Sequence, residues 1–137
     1  MVEGSQIDWA NHAKNFEYQV GDVLAFDDAV GLVLNWIDDA GHPDRKRNTL
    51  LIIAPDHETG GFAINGPYGA LSTAGDLITI QAGWTFPGSE EANHTGGDVI
   101  VYSQGPGTKA RGTYPGLGRL FDNTELYGVM KNAMGIN

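Results

Sequence analysis

Four consecutive aliphatic residues, Leu50 to Ile53, run through Ala54 and Pro55 into Asp56, His57 and Glu58, and then into the pair Gly60-Gly61. The run NTLLIIA, Asn48 to Ala54, is short and continuously apolar, the pattern of a strand covered on both faces in an α/β sheet. Ahead of it, in GDVLAFDDAVGLVLNWIDDAGHP, Val23, Phe26, Val30, Val33, Leu34 and Ile37 recur at three- and four-residue spacing. That spacing predicts an amphipathic helix, with Asp22 as N-cap, Gly41 as the left-handed residue after the last turn, and Pro43 barring continuation. A helix followed by a buried strand is half of a βαβ unit. Between them the basic run DRKRN reads as a solvated loop.

Further along, DLITIQA (Asp76 to Ala82) alternates like a half-buried strand, and GDVIVYSQG (Gly97 to Gly105) reads as another. The stretch GPGTKARGTYPGLG is a loop by its glycines and prolines, without the strand-to-helix setting of a phosphate-binding loop. The tail DNTELYGVMKNAMG predicts a helix capped near Asn123 or Thr124, with Leu126, Val129, Met130 and Ala133 on one face and a stop at Gly135. Met130 and Met134 are most simply packing residues. The chain has 137 residues and shows no internal repeat, so residues 1–137 are expected to form a single unit.

Charge and composition exclude several functions. With 8 basic and 17 acidic residues the formal charge is −9, which lacks the basic footprint of a nucleic-acid binder. An acidic protein also repels phosphate esters unless bound cations invert the local field. The chain has no cysteine, so disulfides and thiolate zinc sites are excluded, leaving His, Asp and Glu as strong ligands. No apolar run approaches the roughly 20 residues of a membrane span. The opening MVEGSQIDWANHAKN has neither the basic start nor the apolar core of a signal peptide.

The four histidines separate by context. His42 lies between Gly41 and Pro43 and reads as a surface loop residue. Asp8 and His12, four apart, share a face if their segment is helical and can converge on one cation in a loop as well. Asp56-His57 is a pair of a kind common in loops, but it stands at the end of a strand, where open α/β sheets gather their ligands. His94 in NHTGGDVIV precedes a strand and reads equally as a turn histidine. With Glu3, these residues supply three His and three carboxylates, a set that suits zinc on His and Asp and a hard cation such as magnesium on the remaining carboxylate. Two cations about 3.5–4 Å apart clamp the attacking and leaving oxygens of a phosphoryl displacement.

The blocks MVEGSQIDWANHA, TLLIIAPDHETGG, HTGGDVIVYSQGPG and DNTELYGVMKNAMG resemble, in order and with comparable spacing, four successive blocks of the C-terminal part of alkaline phosphatase. The resemblance covers essentially the whole chain. It implies an α/β fold, part of an α/β/α sandwich with a mixed, mainly parallel sheet. It implies two zinc ions, one on Asp8, His12 and His94 and one on Asp56 and His57, with one magnesium on Glu3. Trp9 occupies a position that varies in the family between Trp, His and Lys, and here it offers the phosphate no charge.

The implied activity is phosphate monoester hydrolysis through a phosphoserine. The family's nucleophile lies in an Asp-Ser-Ala type block, which occurs nowhere in this sequence, and Ser72, Ser89 and Ser103 lie in other contexts. Arg111 and Arg119, in a Gly/Pro-rich loop, read as surface residues. The chain is therefore expected to supply most of the zinc ligands, inactive alone, with the missing N-terminal part of the enzyme supplying the serine. The resemblance also implies a periplasmic or extracellular place, with no signal in this chain and no membrane span. An exposed apolar sheet edge would favour aggregation or a homodimer. Two other readings stay open: a catalytically inert metal-binding or interface module, and another member of the same superfamily, such as a mutase, phosphodiesterase or sulfatase.

Overall fold

The computed structural model describes residues 1–65, 81–84, 91–109 and 116–136. Among them the chain is α/β, with helices α1 (Ser5–His12), α2 (Phe16–Ile37), α3 (Pro43–Asn48) and α4 (Glu125–Ala133), and strands β1 (Leu51–Ile53), β2 (Ala63–Asn65), β3 (Gln81–Gly83) and β4 (Tyr102–Gln104). These residues divide into two compact units, one of residues 1–29 and 56–99 and the other of residues 30–55 and 100–137.

In the first unit α1 carries Asp8 in its first turn and His12 in its last, the charge order that the helix dipole favours. It ends where Lys14 turns left-handed at φ +51°, with the Asn15 amide donating back to the Ala10 carbonyl at 2.8 Å. Asn15 then begins the next helix: its Oδ1 accepts from the Tyr18 amide at 3.2 Å. So α2 starts at Phe16, seven residues before the Val23 start that a cap at Asp22 would give. An asparagine that accepts a backbone N–H initiates a helix as well as an aspartate does.

Gly60 closes the loop after Asp56-His57. Its φ is +73°, and a Cβ there would stand 2.6 Å from the Ala92 methyl and 2.9 Å from Trp84 Cδ1. Its amide donates to the Asn93 carbonyl at 2.7 Å, and the Ala92 amide donates to the His12 carbonyl at 3.0 Å. Only glycine combines that dihedral with that approach. Trp84 donates from Nε1 to Asn11 Oδ1 at 3.1 Å and lies against Phe62 with ring centroids 5.0 Å apart. Strands β2 and β3 pair antiparallel, Ala63 opposite Gly83 and Asn65 opposite Gln81.

In the second unit β1 pairs antiparallel with β4, Leu51 opposite Gln104 and Ile53 opposite Tyr102. Its three residues are half-buried rather than covered on both faces. Gly105 follows β4 at φ +108°, where a Cβ would lie 2.0 Å from the Thr49 carbonyl oxygen. Ile37, at the end of α2, is buried, as is Val129 of α4.

Two local expectations are corrected here. Gly41 is not left-handed; the end of α2 is held instead by Asp39, whose Oδ1 accepts from the Gly41 amide at 2.9 Å. The basic run is not a loop, because Pro43 opens α3: a proline at the first position loses no hydrogen bond there and pre-sets φ. His42 caps α3 at the surface, its Nδ1 2.8 Å from Asp39 Oδ2. Arg45 stacks over Trp36, 4.4 Å from the ring centroid, and donates to the same Asp39 oxygen.

In the tail Thr124 is the N-cap of α4, Val129 is inward and the helix stops at Gly135 with φ +66°, but Met130 and Met134, expected to pack, are exposed. Arg119 is a surface residue paired with Glu125. Residues 76–80 of the expected strand, residues 110–115 with Arg111, and Ser72 and Ser89 lie outside the described residues. Leu24, Leu32 and Trp36 of α2 are exposed, and no helix among the described residues is long and apolar enough to cross a membrane.

Candidate metal centre

One helix and two loops of the first unit build the site. The i, i+4 spacing on α1 puts His12 Nε2 3.3 Å from Asp8 Oδ2. The loop after Asn93 brings His94 alongside, its ring 4.7 Å from that of His12 and edge-on to it at 73°. Asp8, His12 and His94 each offer a ligand atom within 4.8 Å of the others, a group that could hold a metal ion. Asp8 and His12 are half-buried and His94 is exposed, so the group opens to solvent. Three protein ligands with an open position is the arrangement of a catalytic rather than a structural zinc site.

Both histidines of the group are turned by backbone carbonyls. His12 Nδ1 lies 2.5 Å from the Ala92 oxygen, and His94 Nδ1 lies 3.0 Å from the Glu58 oxygen. A carbonyl only accepts, so each Nδ1 donates and Nε2 is the ring nitrogen left for a ligand. Metal-ligating histidines are oriented in this way.

The ring of His57 packs on His94 with centroids 3.6 Å apart, at 49°. His57 Nε2 is 3.1 Å from the oxygen of its neighbour Asp56, whose side chain is 85% exposed, while His57 Nδ1 is buried without a hydrogen-bond partner among the described residues. A buried imidazole nitrogen with no partner is a costly arrangement unless a ligand completes it. Together with a donor set of imidazole and carboxylate and no thiolate, it fits a zinc or similar divalent cation. The structure thus brings Asp8, His12, His94 and His57 together. Asp56 sits at their margin, and Glu3 is exposed and outside the converging group. Trp9 is exposed as well.

Two neighbouring residues were not singled out by sequence reasoning. Thr59, buried, donates from Oγ1 to Asp8 Oδ1 at 2.8 Å and lies 3.3 Å from His94 Nδ1. The Glu58 carboxylate accepts from the Thr95 amide at 3.0 Å, from the Thr95 hydroxyl and from the Gly61 amide. Burial pushes the Glu58 carboxyl up, but these donors, led by the Thr95 hydroxyl, outweigh it and hold the group below its ordinary value. Glu58 therefore stays ionised as a clasp between the two loops. Its place between Asp-His and Thr-Gly-Gly was the available signal, but partners 37 residues away cannot be read from spacing.

Similarity to known proteins agrees with this chemistry. The family model described as alkaline phosphatase matches residues 1–77. Streptomycin-6-phosphate phosphatase of Streptomyces griseus is 33% identical over 98% of this chain and 29% of its own length. Alkaline phosphatase of Escherichia coli (strain K12) is 29% identical over 98% of this chain and 27% of its own, and repressible alkaline phosphatase of Saccharomyces cerevisiae is 44% identical over 45% of this chain and 10% of its own. The chain thus spans less than a third of the length of these relatives. No solved structure matches it.

Proposed function

Because the chain belongs to the alkaline phosphatase family, we propose that it is the part of a metal-dependent phosphomonoesterase that holds the catalytic cations. The observation that carries the reading is the convergence of Asp8, His12 and His94 within 4.8 Å, with His57 stacked on His94. In this reading Asp8, His12 and His94 hold one zinc, Asp56 and His57 contribute to a second, and Glu3 contributes to a magnesium. In this reading the two antiparallel strand pairs belong to the family's larger α/β/α sandwich, whose mixed, mainly parallel sheet would be completed by other parts of the protein. In this reading the nucleophilic serine also comes from such a part.

When bound, the cations supply Lewis acidity toward phosphoryl oxygens and water. The chain's own residues do the rest. Asp8 brings a negative charge that favours a cation. The Ala92 and Glu58 carbonyls engage Nδ1 of His12 and His94, so that Nε2 is the nitrogen each would offer a cation. Bound cations also reconcile a chain of charge −9 with an anionic substrate. The substrate in this reading is a phosphate monoester; the name of the Streptomyces griseus relative gives streptomycin 6-phosphate for that protein.

The test is to supply the chain with the nucleophile-bearing part of the enzyme and zinc, and to follow p-nitrophenyl phosphate. Hydrolysis that needs both the added part and Asp8 supports the reading. Stoichiometric zinc uptake with no hydrolysis on complementation favours an inert metal-binding module, and two rather than three metals in an active complex favour another member of the superfamily.

A further inference from the structure

We propose that Trp84 is a positioning residue of the metal centre: its indole, bonded to Asn11 of α1 and packed on Gly60, fixes the helix that carries His12 against the loop that carries His57. The inference rests on the metal-centre reading above and adds to it a strut that comes from neither ligand segment.

Asn11 gives the first observation. Asparagine is a poorer helix residue than alanine, yet it stands beside His12 in α1. Both ends of its amide are used. Nδ2 donates to the Ile7 carbonyl at 3.0 Å, and Oδ1 accepts from Trp84 Nε1 at 3.1 Å. An indole nitrogen only donates and a carbonyl only accepts, so these two partners settle which way the amide points. The bond to Ile7 lies within the helix and aims Oδ1 outward, and the indole that meets it is 73 positions away in the chain.

The far side of the indole gives the second. A Cβ on Gly60 would stand 2.9 Å from Trp84 Cδ1 and 2.6 Å from the Ala92 methyl, so Gly60, three residues after His57, is held between the two. Ala92 is buried and meets His12 twice: its amide donates to the His12 carbonyl at 3.0 Å, and its carbonyl lies 2.5 Å from His12 Nδ1. The contacts therefore close a ring, from Asn11 to Trp84, Gly60, Ala92 and His12, and back to Asn11 through one peptide bond. A close-packed ring transmits a displacement of any member to the others. Phe62 backs the indole at 5.0 Å between centroids, and Phe16 backs Phe62 at 6.2 Å. Trp84 offers a cation no ligand atom; it acts on His12 through Asn11 and on the His57 loop through Gly60.

The experiment compares the full chain with Trp84→Phe, which keeps an aromatic ring and loses the indole N–H, with Asn11→Ala, which loses the acceptor, and with the double variant. Zinc affinity is read by chelator competition, and the imidazole nitrogens of His12, His57 and His42 are read by NMR. Each single variant is expected to weaken zinc by about tenfold, the low end for loss of a supporting group, and to shift His12 and His57 while His42 stays in place. The double variant should lose no more than the weaker-binding single, because both remove the same bond. Additive losses, or a folded Trp84→Phe with unchanged affinity and imidazole signals, overturn the proposal and leave the metal centre standing. An unaltered chain that takes up no zinc overturns both. Should the variants fail to fold, indole N–H exchange in the unaltered chain decides. Trp84 is expected to exchange more slowly than the exposed Trp9, and more slowly again with zinc bound. Exchange as fast as that of Trp9, or a rate that zinc leaves unchanged, is the contrary result.

Discussion

The two halves of the candidate site are built differently. Around Asp8, His12 and His94 every polar atom that would not face a cation has a partner: Ala92 for His12, Glu58 and Thr59 for His94, and Thr59 for Asp8. Around Asp56 and His57 the reverse holds. Among the described residues Asp56, largely exposed, pairs with its own neighbour, and the buried His57 Nδ1 has no hydrogen-bond partner. Both residues of that half stand on one loop, whereas the first half is tied from a helix to two loops. The difference teaches that ligand identity and ligand support are separate properties. Among the described residues the first half has its supporting partners, and the second half has only the Asp56–His57 contact and the His57 ring on His94.

That contrast can be broken most sharply at the ligands. Asp8→Asn or His12→Ala should lower zinc affinity at the first half by more than the roughly 100-fold that marks loss of a mere supporting partner, read by chelator competition. A smaller loss would mean that the cluster is a hydrogen-bond network and not a metal centre. Gly60→Ala strikes the support instead. A Cβ at φ +73°, 2.6 Å from the Ala92 methyl, should cost roughly 2–5 kcal/mol of stability in urea unfolding and displace Ala92 from His12. An unchanged midpoint would show that the loop is not held as described.

His57→Ala sharpens the comparison from the other side. It should remove a second equivalent of zinc while weakening the first by less than about tenfold, the lower end for a neighbouring support. The smallest effect is expected at the fourth histidine, which serves as the control. The Asp39 carboxyl is held below its ordinary value of 3.8, first by its hydrogen bond with His42 and then by the Gly41 amide. A lowered carboxyl lends stability that is complete above its ordinary value and is lost as pH falls through the lowered one. Amide exchange at Gly41 should therefore quicken only in that acid range, in the presence or absence of zinc, and His42→Ala should move its onset upward. An onset at neutral pH would contradict the cap.

Much of this was legible in the sequence, and what was not has physical reasons. The α4 cap, its inward Val129 and its stop at Gly135 depend on neighbours within one turn, and local signals suffice for them. The start of α2 was misread because its apolar spacing begins at Val23, while its cap at Asn15 acts through a single side-chain oxygen upstream. Pro43 was read as a stop when it opens α3; a proline ends one helix and begins another by the same fixed φ. The antiparallel pairing of β1 with β4 could not be read from an apolar run, which fits either direction. Among the site residues, Asp8 and His12 were legible as an i, i+4 pair, and their union with His94 only through the blocks. The roles of Glu58 and Thr59 were not, since both act on residues 35 to 51 positions away.

The most direct measurement is a zinc titration of the full chain followed by imidazole nitrogen NMR. The account predicts that His12 and His94 shift at Nε2 together at the first equivalent, keep their Nδ1 protons, and leave His42 unmoved. Coordination through Nδ1, or a first equivalent bound at His42 or away from His12 and His94, would contradict it.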